Sequence, residues 1–303
     1  MTPAPLPEET AAQRHSHIMG GVMLRAAAMV LMSGMAALVK WCGSQGVPVL
    51  ELIFFRNAFA FIPICFYIWR TCGFGVLRTS RPLGHLTRSA VGLTGMVCGF
   101  TALQHLPLTE ATAIAFAAPL FMTALSVPIL REPVGRHRWG AVLVGFVGVL
   151  IMVRPDPQHV TMMGAGLALA GAVAAAFAMI TVREMGRTEP GAAIVFYFTL
   201  AGCLLGLCSL PFRLVVPDLQ TLGLLVLIGV IGGVGQLMLT ESLRIAPVGV
   251  VAPFDYTQLL WASVIGFLVW GELPRPFTIV GALIVGASGL YIVLRETRRF
   301  RTL

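Results

Sequence analysis

Ten apolar runs follow one another along the chain, at 18–39, 50–69, 86–105, 109–130, 139–153, 162–182, 192–212, 219–243, 247–269 and 277–294, with short polar turns between them. Each is near the roughly 20 residues that a helix needs to cross a hydrocarbon core of about 30 Å. The turns leave no room for a soluble domain. The pattern predicts an all-α polytopic membrane protein with ten transmembrane helices. Composition agrees: of 303 residues, 57% are hydrophobic and 11% charged, against about 25% charged in soluble domains.

The basic residues set the orientation. With the N-terminus inside, the inner loops and tails hold most of the arginines, among them Arg70, Arg78, Arg81, Arg88, Arg183 and Arg244, and Arg25 is expected to snorkel to the same side. The outer side keeps only Lys40, Arg56, Arg154, Arg213 and Arg275. This is the positive-inside asymmetry, and it puts both termini in the cytoplasm. Residues 1–17 read as a cytoplasmic tail ahead of an uncleaved first helix, and 295–303 as a basic cytoplasmic tail. The net charge of +8 therefore reports topology. No stacking aromatics, zinc knuckle or basic helix accompanies it, which excludes nucleic-acid binding. The six cysteines lie mostly inside apolar runs without paired spacing and read as small core residues. No metal site and no cofactor are expected.

The chain resembles itself at a shift of about 140 residues. Leu103, Pro107 and Glu132 match Leu243, Pro247 and Glu272, and past one inserted residue Gly140, Gly145, Gly148 and Arg154 match Gly281, Gly286, Gly289 and Arg295. Shared order of proline, acid and glycines favours duplication over coincidence. The halves are 18–153 and 162–294. Each holds five helices, and five is odd, so they insert in opposite orientation as an inverted repeat.

The candidate chemistry centres on the run APVGVVAPFDYTQLLWASVIGFLVWGE, 246–272. It is long enough to span a membrane yet carries Asp255, whose ionised form costs roughly 2.5–3.5 kcal/mol at the centre of a membrane helix. Helical spacing puts Gln258 and Ala262 on the face of Asp255, with Tyr256 and Trp261 beside that stripe as an aromatic wall. Asp255 either binds a cationic amine or exchanges a proton. The alternative is a packing role with a hydroxyl or backbone partner; no cation is expected at equal depth to neutralise it. Pro253 and Pro119 each free a backbone carbonyl and mark bends or hinges at comparable depth in the two halves. By the repeat offset Ala115 is the counterpart of Asp255.

Lys40 and Arg56, with Glu51 to hold one of them, form a second cluster at the outer mouth, where they attract a carboxylate or phosphate or else simply snorkel. Gln236, Phe116 and Tyr197 are candidate cavity walls. Glu110, Glu132 and Glu272 read as structural, Glu110 through the dipole of its helix and Glu272 through a loop hydrogen bond or an arginine. Most glycines, including Gly92, Gly229 and Gly232, read as helix-packing positions. Such faces also fit a homodimer.

The runs MAALVKWCGSQGVPVLELIFFRNAFAFIP, LPLTEATAIAFAAPLFMTALSVPILREPVGRHRWGAVLVGFVGVLIMVRP and APFDYTQLLWASVIGFLVWGELP together resemble the drug/metabolite transporter superfamily in its ten-helix EamA-type branch, over about residues 20–294. Their wording is closest to S-adenosylmethionine-type carriers. The resemblance implies a carrier in a bacterial inner membrane, with a cavity between two five-helix halves. It would move an amino-acid-like or other small polar metabolite by alternating access. A channel or scaffold subunit is the alternative. An embedded enzyme is disfavoured because the six histidines show no HExxH spacing and no nucleophile has a partner. No GxxxxGK[ST] loop is present, so an ion or substrate gradient has to supply the energy.

Overall fold

The computed structural model describes residues 11–130, 136–152, 161–186, 188–209, 217–246 and 248–300. Its helices are α1 (Ala11–Ser44), α2 (Val49–Thr71), α3 (Pro82–His105), α4 (Leu108–Ala115), α5 (Ala118–Leu130), α6 (Arg136–Met152), α7 (Met162–Met185), α8 (Gly191–Ser209), α9 (Leu219–Ile245), α10 (Val248–Val251), α11 (Thr257–Trp270) and α12 (Pro276–Phe300). Their ends follow from local chemistry. Thr161 caps α7 by accepting from the Gly164 N–H at 3.1 Å, and Asp218 caps α9 by accepting from the Thr221 N–H at 3.2 Å, each satisfying a donor the helix cannot. Pro82 opens α3 where its missing N–H costs nothing. Gly271, at φ 69°, turns the chain out of α11 in the left-handed conformation that favours glycine.

Seven helical stretches among the described residues are long and apolar enough to cross a membrane: Ile18–Ser44, Val49–Thr71, Pro82–His105, Leu108–Leu125, Met162–Met185, Gly191–Cys208 and Leu219–Ser242. Trp139–Met152 and Pro276–Tyr291 are shorter apolar helices. The predicted ninth span departs furthest. It is not a single bent helix but three pieces: α10, a 3-10 turn over Ala252–Tyr256 containing Pro253 and Asp255, and α11. The fourth span is also broken, at Phe116 and Ala117 between α4 and α5, just before Pro119. Helix α1 begins at Ala11 rather than at residue 18, so part of the expected tail is helical. Glu132, Arg154, Arg213, Pro247 and the extreme tails lie outside the described residues.

Counting α4–α5 as the fourth rod and α10–α11 as the ninth, the main packing partners exchange when the halves are exchanged. The third rod lies along the sixth as the eighth lies along the first. The second meets the eighth as the seventh meets the third, and the first meets the ninth as the sixth meets the fourth. Second with seventh, fourth with ninth and fifth with tenth are each their own image. All these pairings cross from one half to the other, so the core is the seam. Small residues close it. At the crossing of α6 and α12 a β-carbon on Gly281 would stand 2.5 Å from the carbonyl oxygen of Gly148. In lipid such close backbone approach, rather than hydrophobic drive, holds helices together.

Candidate functional site

Helix α1 is apolar almost all round, but three polar side chains reach from it to the ninth rod. Arg25, 8% exposed, donates from Nε to Asp255 Oδ1 at 2.5 Å and from Nη2 to Oδ2 at 2.6 Å. Its Nη1 reaches the Leu239 carbonyl at 3.4 Å and Ser242 Oγ at 3.5 Å. The Ser33 hydroxyl donates to the Gln258 carbonyl at 3.2 Å. Lys40 pairs with Glu272, and its ammonium sits 4.9 Å from the Trp270 ring centre. At 1.5 Å per residue, Arg25 and Lys40 are about 22 Å apart along the helix. The seam is thus tied at two levels, by a fork of charge-assisted bonds at Arg25 and by a second ion pair at Lys40.

Two expectations change here. Arg25 does not snorkel: it is the buried counter-charge that Asp255 was expected to lack, because a paired carboxylate costs far less than a lone one. Lys40 does not join Arg56 and Glu51 in an outer cluster. It crosses the seam to Glu272, whose other oxygen accepts from the Leu108 N–H at 3.0 Å at the start of α4. Glu110 also has a partner beyond its helix dipole: Arg275 donates to it at 3.0 Å and 3.5 Å, and Thr278 donates to Oε2. Arg275 further donates to the Met152 carbonyl at 3.1 Å.

Phe116 and Tyr256 meet, ring centres 5.0 Å apart, at the two helix interruptions. They are counterparts at the shift of 140 residues seen in the sequence. Tyr256 lies against Gly286 and Gly289 of α12. A methyl group at 289 would stand 2.0 Å from Tyr256 Oη but 3.3 Å from Cζ. Gly289→Ala is therefore expected to destabilise the protein by about 1–3 kcal/mol through overpacking. Tyr256→Phe in the same chain should recover most of that loss, read as melting temperature of the purified protein.

The remaining candidates separate. Trp261 is not an aromatic wall beside Asp255. At 36% exposed it shares the outer face of α11 with Leu260, Val264 and Leu268, since a side chain six positions on from Asp255 points away from it. Ala262 and Gly266 of the same helix are buried, and Gly266 lies close to Leu108 and Thr109, so that stripe packs against α4. Gln258 contributes its carbonyl, and the Gln236 carbonyl accepts from Thr240 at 2.9 Å. Tyr197 donates to the Leu77 carbonyl at 2.7 Å and rests on the His85 ring at 4.4 Å. That places it beside the link between α2 and α3, with Glu189, which accepts from the Ser80 N–H at 3.1 Å and its hydroxyl at 3.2 Å. Burial alone raises the Glu189 carboxyl's pKa, but bonds from Ser80, Thr79 and His85 outweigh it and hold the group below its usual range. Arg56 is 4% exposed, donates to Asn57 Oδ1 at 3.0 Å and lies 5.9 Å from the centre of the Phe198 ring. A groove of about 610 Å³ between α11 and α12, with Leu260, Leu283 and Leu290 in its wall, is almost wholly apolar and open. Its wall also holds Thr109, Tyr256, Ser263 and Thr278.

Apolar helices of membrane-crossing length mark an integral membrane protein, and the family and relatives that it matches are transporters rather than enzymes. The chain belongs to the EamA-like transporter family, whose model matches residues 19–154 and again 162–295. It is 32% identical over 280 residues to the pseudopaline exporter CntI of Pseudomonas aeruginosa, covering 92% of this chain and 97% of that one. It is 28% identical over 261 residues to the S-adenosylmethionine uptake transporter of Rickettsia prowazekii, covering 86% and 87%. It is also 28% identical over 254 residues to the riboflavin transporter of Rhizobium johnstonii, covering 84% of each. A solved crystal structure superposes with a TM-score of 0.65 at 19% identity over 92% of this chain and 97% of that one, a likeness of fold.

Proposed function

We propose that the protein is a secondary carrier that moves a small polar metabolite by alternating access, driven by an ion or substrate gradient. Its ten spans would form two inverted five-helix repeats, 18–153 and 162–294, in a bacterial inner membrane with both termini cytoplasmic. The observation that carries this reading is the pair of ties on one seam, Arg25 with Asp255 and Lys40 with Glu272. Each joins the first half to the second, and releasing one while keeping the other opens the seam to one side only. Asp255 then acts as the inner latch, freed when a proton or a cationic group competes with Arg25 for its carboxylate. Symmetric packing of the ten rods supports the repeat, and the excess of inner arginines supports the orientation.

The cargo is amino-acid-like or S-adenosylmethionine-like on this reading. The named relatives include both an exporter and an uptake carrier, so the fold serves either direction. The test begins with a thermal-shift screen of the purified protein against amino acids, nucleosides, S-adenosylmethionine and flavins, since a ligand of the folded state raises its stability. Counterflow of the radiolabelled hit into vesicles reconstituted with the protein should saturate and be accelerated by unlabelled solute inside. Flux that neither saturates nor responds to inside solute would make the protein a channel.

A further inference from the structure

Arg56 and Arg88, both inside the helical body, have no counter-charge among the described residues. Arg56 stands seven positions into α2 and Arg88 six positions into α3. At 1.5 Å per residue each lies about 10 Å along its helix from the N-terminal end. Their guanidiniums converge on one ring: the Cζ of Arg88 lies 4.3 Å, and that of Arg56 5.9 Å, from the centre of Phe198. Among the described residues neither forms a salt bridge. Arg56 Nε and Arg88 Nε and Nη1 are shielded and carry no hydrogen bond.

This convergence is built. A β-carbon on Gly92 would stand 2.0 Å from Arg88 Nη1, so glycine at 92 is what lets Arg88 fold back along its own helix. One on Gly232 of α9 would stand 3.2 Å from Arg56 Nε. Asn57, fixed by donating to the Ile53 carbonyl at 2.7 Å, turns one Arg56 nitrogen toward itself and leaves Nε free. Both arginines belong to the first half, while Phe198 and Gly232 belong to the second, so the cluster straddles the seam between the two ties. A guanidinium over an aromatic face gains on the order of 0.5–2 kcal/mol. That falls well short of the several kcal/mol that each desolvated ion costs, and two like charges add repulsion.

We propose that Arg56 and Arg88 form a carboxylate-binding subsite, and that the transported solute is an organic anion or a zwitterion whose carboxylate they hold. The planar fork of each guanidinium matches a carboxylate, and the bonds formed are the strong charge-assisted kind. This deepens the carrier reading and rests on it for the word transported; binding itself is independent of it.

The probes are glutamate, succinate and citrate, with the N-acetylglutamate dimethyl ester, dimethyl succinate and trimethyl citrate as neutral counterparts that lack a carboxylate and inorganic phosphate as a different anion, scored by melting temperature of the purified full-length protein. At least one carboxylate should raise the wild-type melting temperature while its neutral counterpart does not. Arg56→Gln and Arg88→Gln should each weaken that half-saturating concentration about tenfold or more, and Arg88→Lys should retain part of the response. Without ligand, Arg88→Gln should melt at or above the wild type, because it removes an uncompensated charge; a packing role would lower it instead. The proposal is overturned if no carboxylate shifts the wild type, if phosphate alone does, or if the shift survives both Gln substitutions. Carboxylate binding without counterflow would leave this subsite standing and remove the carrier reading.

Discussion

Arg25→Gln is expected to lower the melting temperature of the purified protein and to abolish transport, while Arg25→Gln with Asp255→Asn recovers most of the stability and none of the transport. The single change strands a carboxylate among apolar helices. For a fully buried pair that costs about 3–5 kcal/mol. The Asp255 side chain keeps 30% exposure, so about 1–3 kcal/mol is the better figure once solvent screening is allowed for. The double change removes both charges and leaves two amides able to bond each other, which is why stability returns. Asp255→Asn alone should fold, since Arg25 keeps the Leu239 carbonyl and Ser242 as acceptors, yet transport should fall. Melting curves and counterflow on the same four preparations check this. Wild-type transport by the double variant would show that the pair only braces the fold.

Gly281→Val should be the most damaging change away from any charge. Its β-carbon would meet Met152 Cγ at 2.4 Å and the Gly148 carbonyl oxygen at 2.5 Å. A methionine side chain can swing aside, but a helix backbone cannot, so α6 and α12 have to separate. A loss of roughly 2 kcal/mol or more is expected, with little monodisperse protein recovered from detergent. Gly140→Ala on α6 is the matched control. Nothing lies within 4 Å of its β-carbon, so it should be neutral or stabilise by up to about 1 kcal/mol through helix propensity. Size-exclusion profiles and melting temperatures of the two variants decide the matter; equal behaviour would deny the close crossing.

Helical class, the position of most apolar helices and the oddity of Asp255 were legible because each is a one-dimensional signal. Runs of apolar residues have length, and one acid in such a run stands out. Partner identity was not legible. Arg25 is 230 positions from Asp255, and α1 is apolar on nearly every side, so no polar face marked which way Arg25 turns. Its place on the inner half of the helix fitted snorkelling equally well. Trp261 failed for a related reason: it lies near Asp255 in sequence, yet around the axis of α11 it faces out. Pro253 and Pro119 announced irregular backbone correctly in kind, but proline chemistry does not say whether a helix bends or breaks. Arg88 was counted with the loop arginines, and only the crossing of α3 with α8 shows that it shares Phe198 with Arg56.

Under the proposed inverted repeat, the contact between Phe116 and Tyr256 has a property the two ion ties lack. Exchanging the halves turns each tie into a different place in the molecule, whereas a contact between counterparts is carried onto itself. Rocking that swaps an inward-open shape for an outward-open one would therefore leave these two rings together. They sit where the motion has no lever arm, as a fulcrum does. Tyr256 is one residue from Asp255, so on the proposed mechanism the pivot and the latch share a single turn of chain.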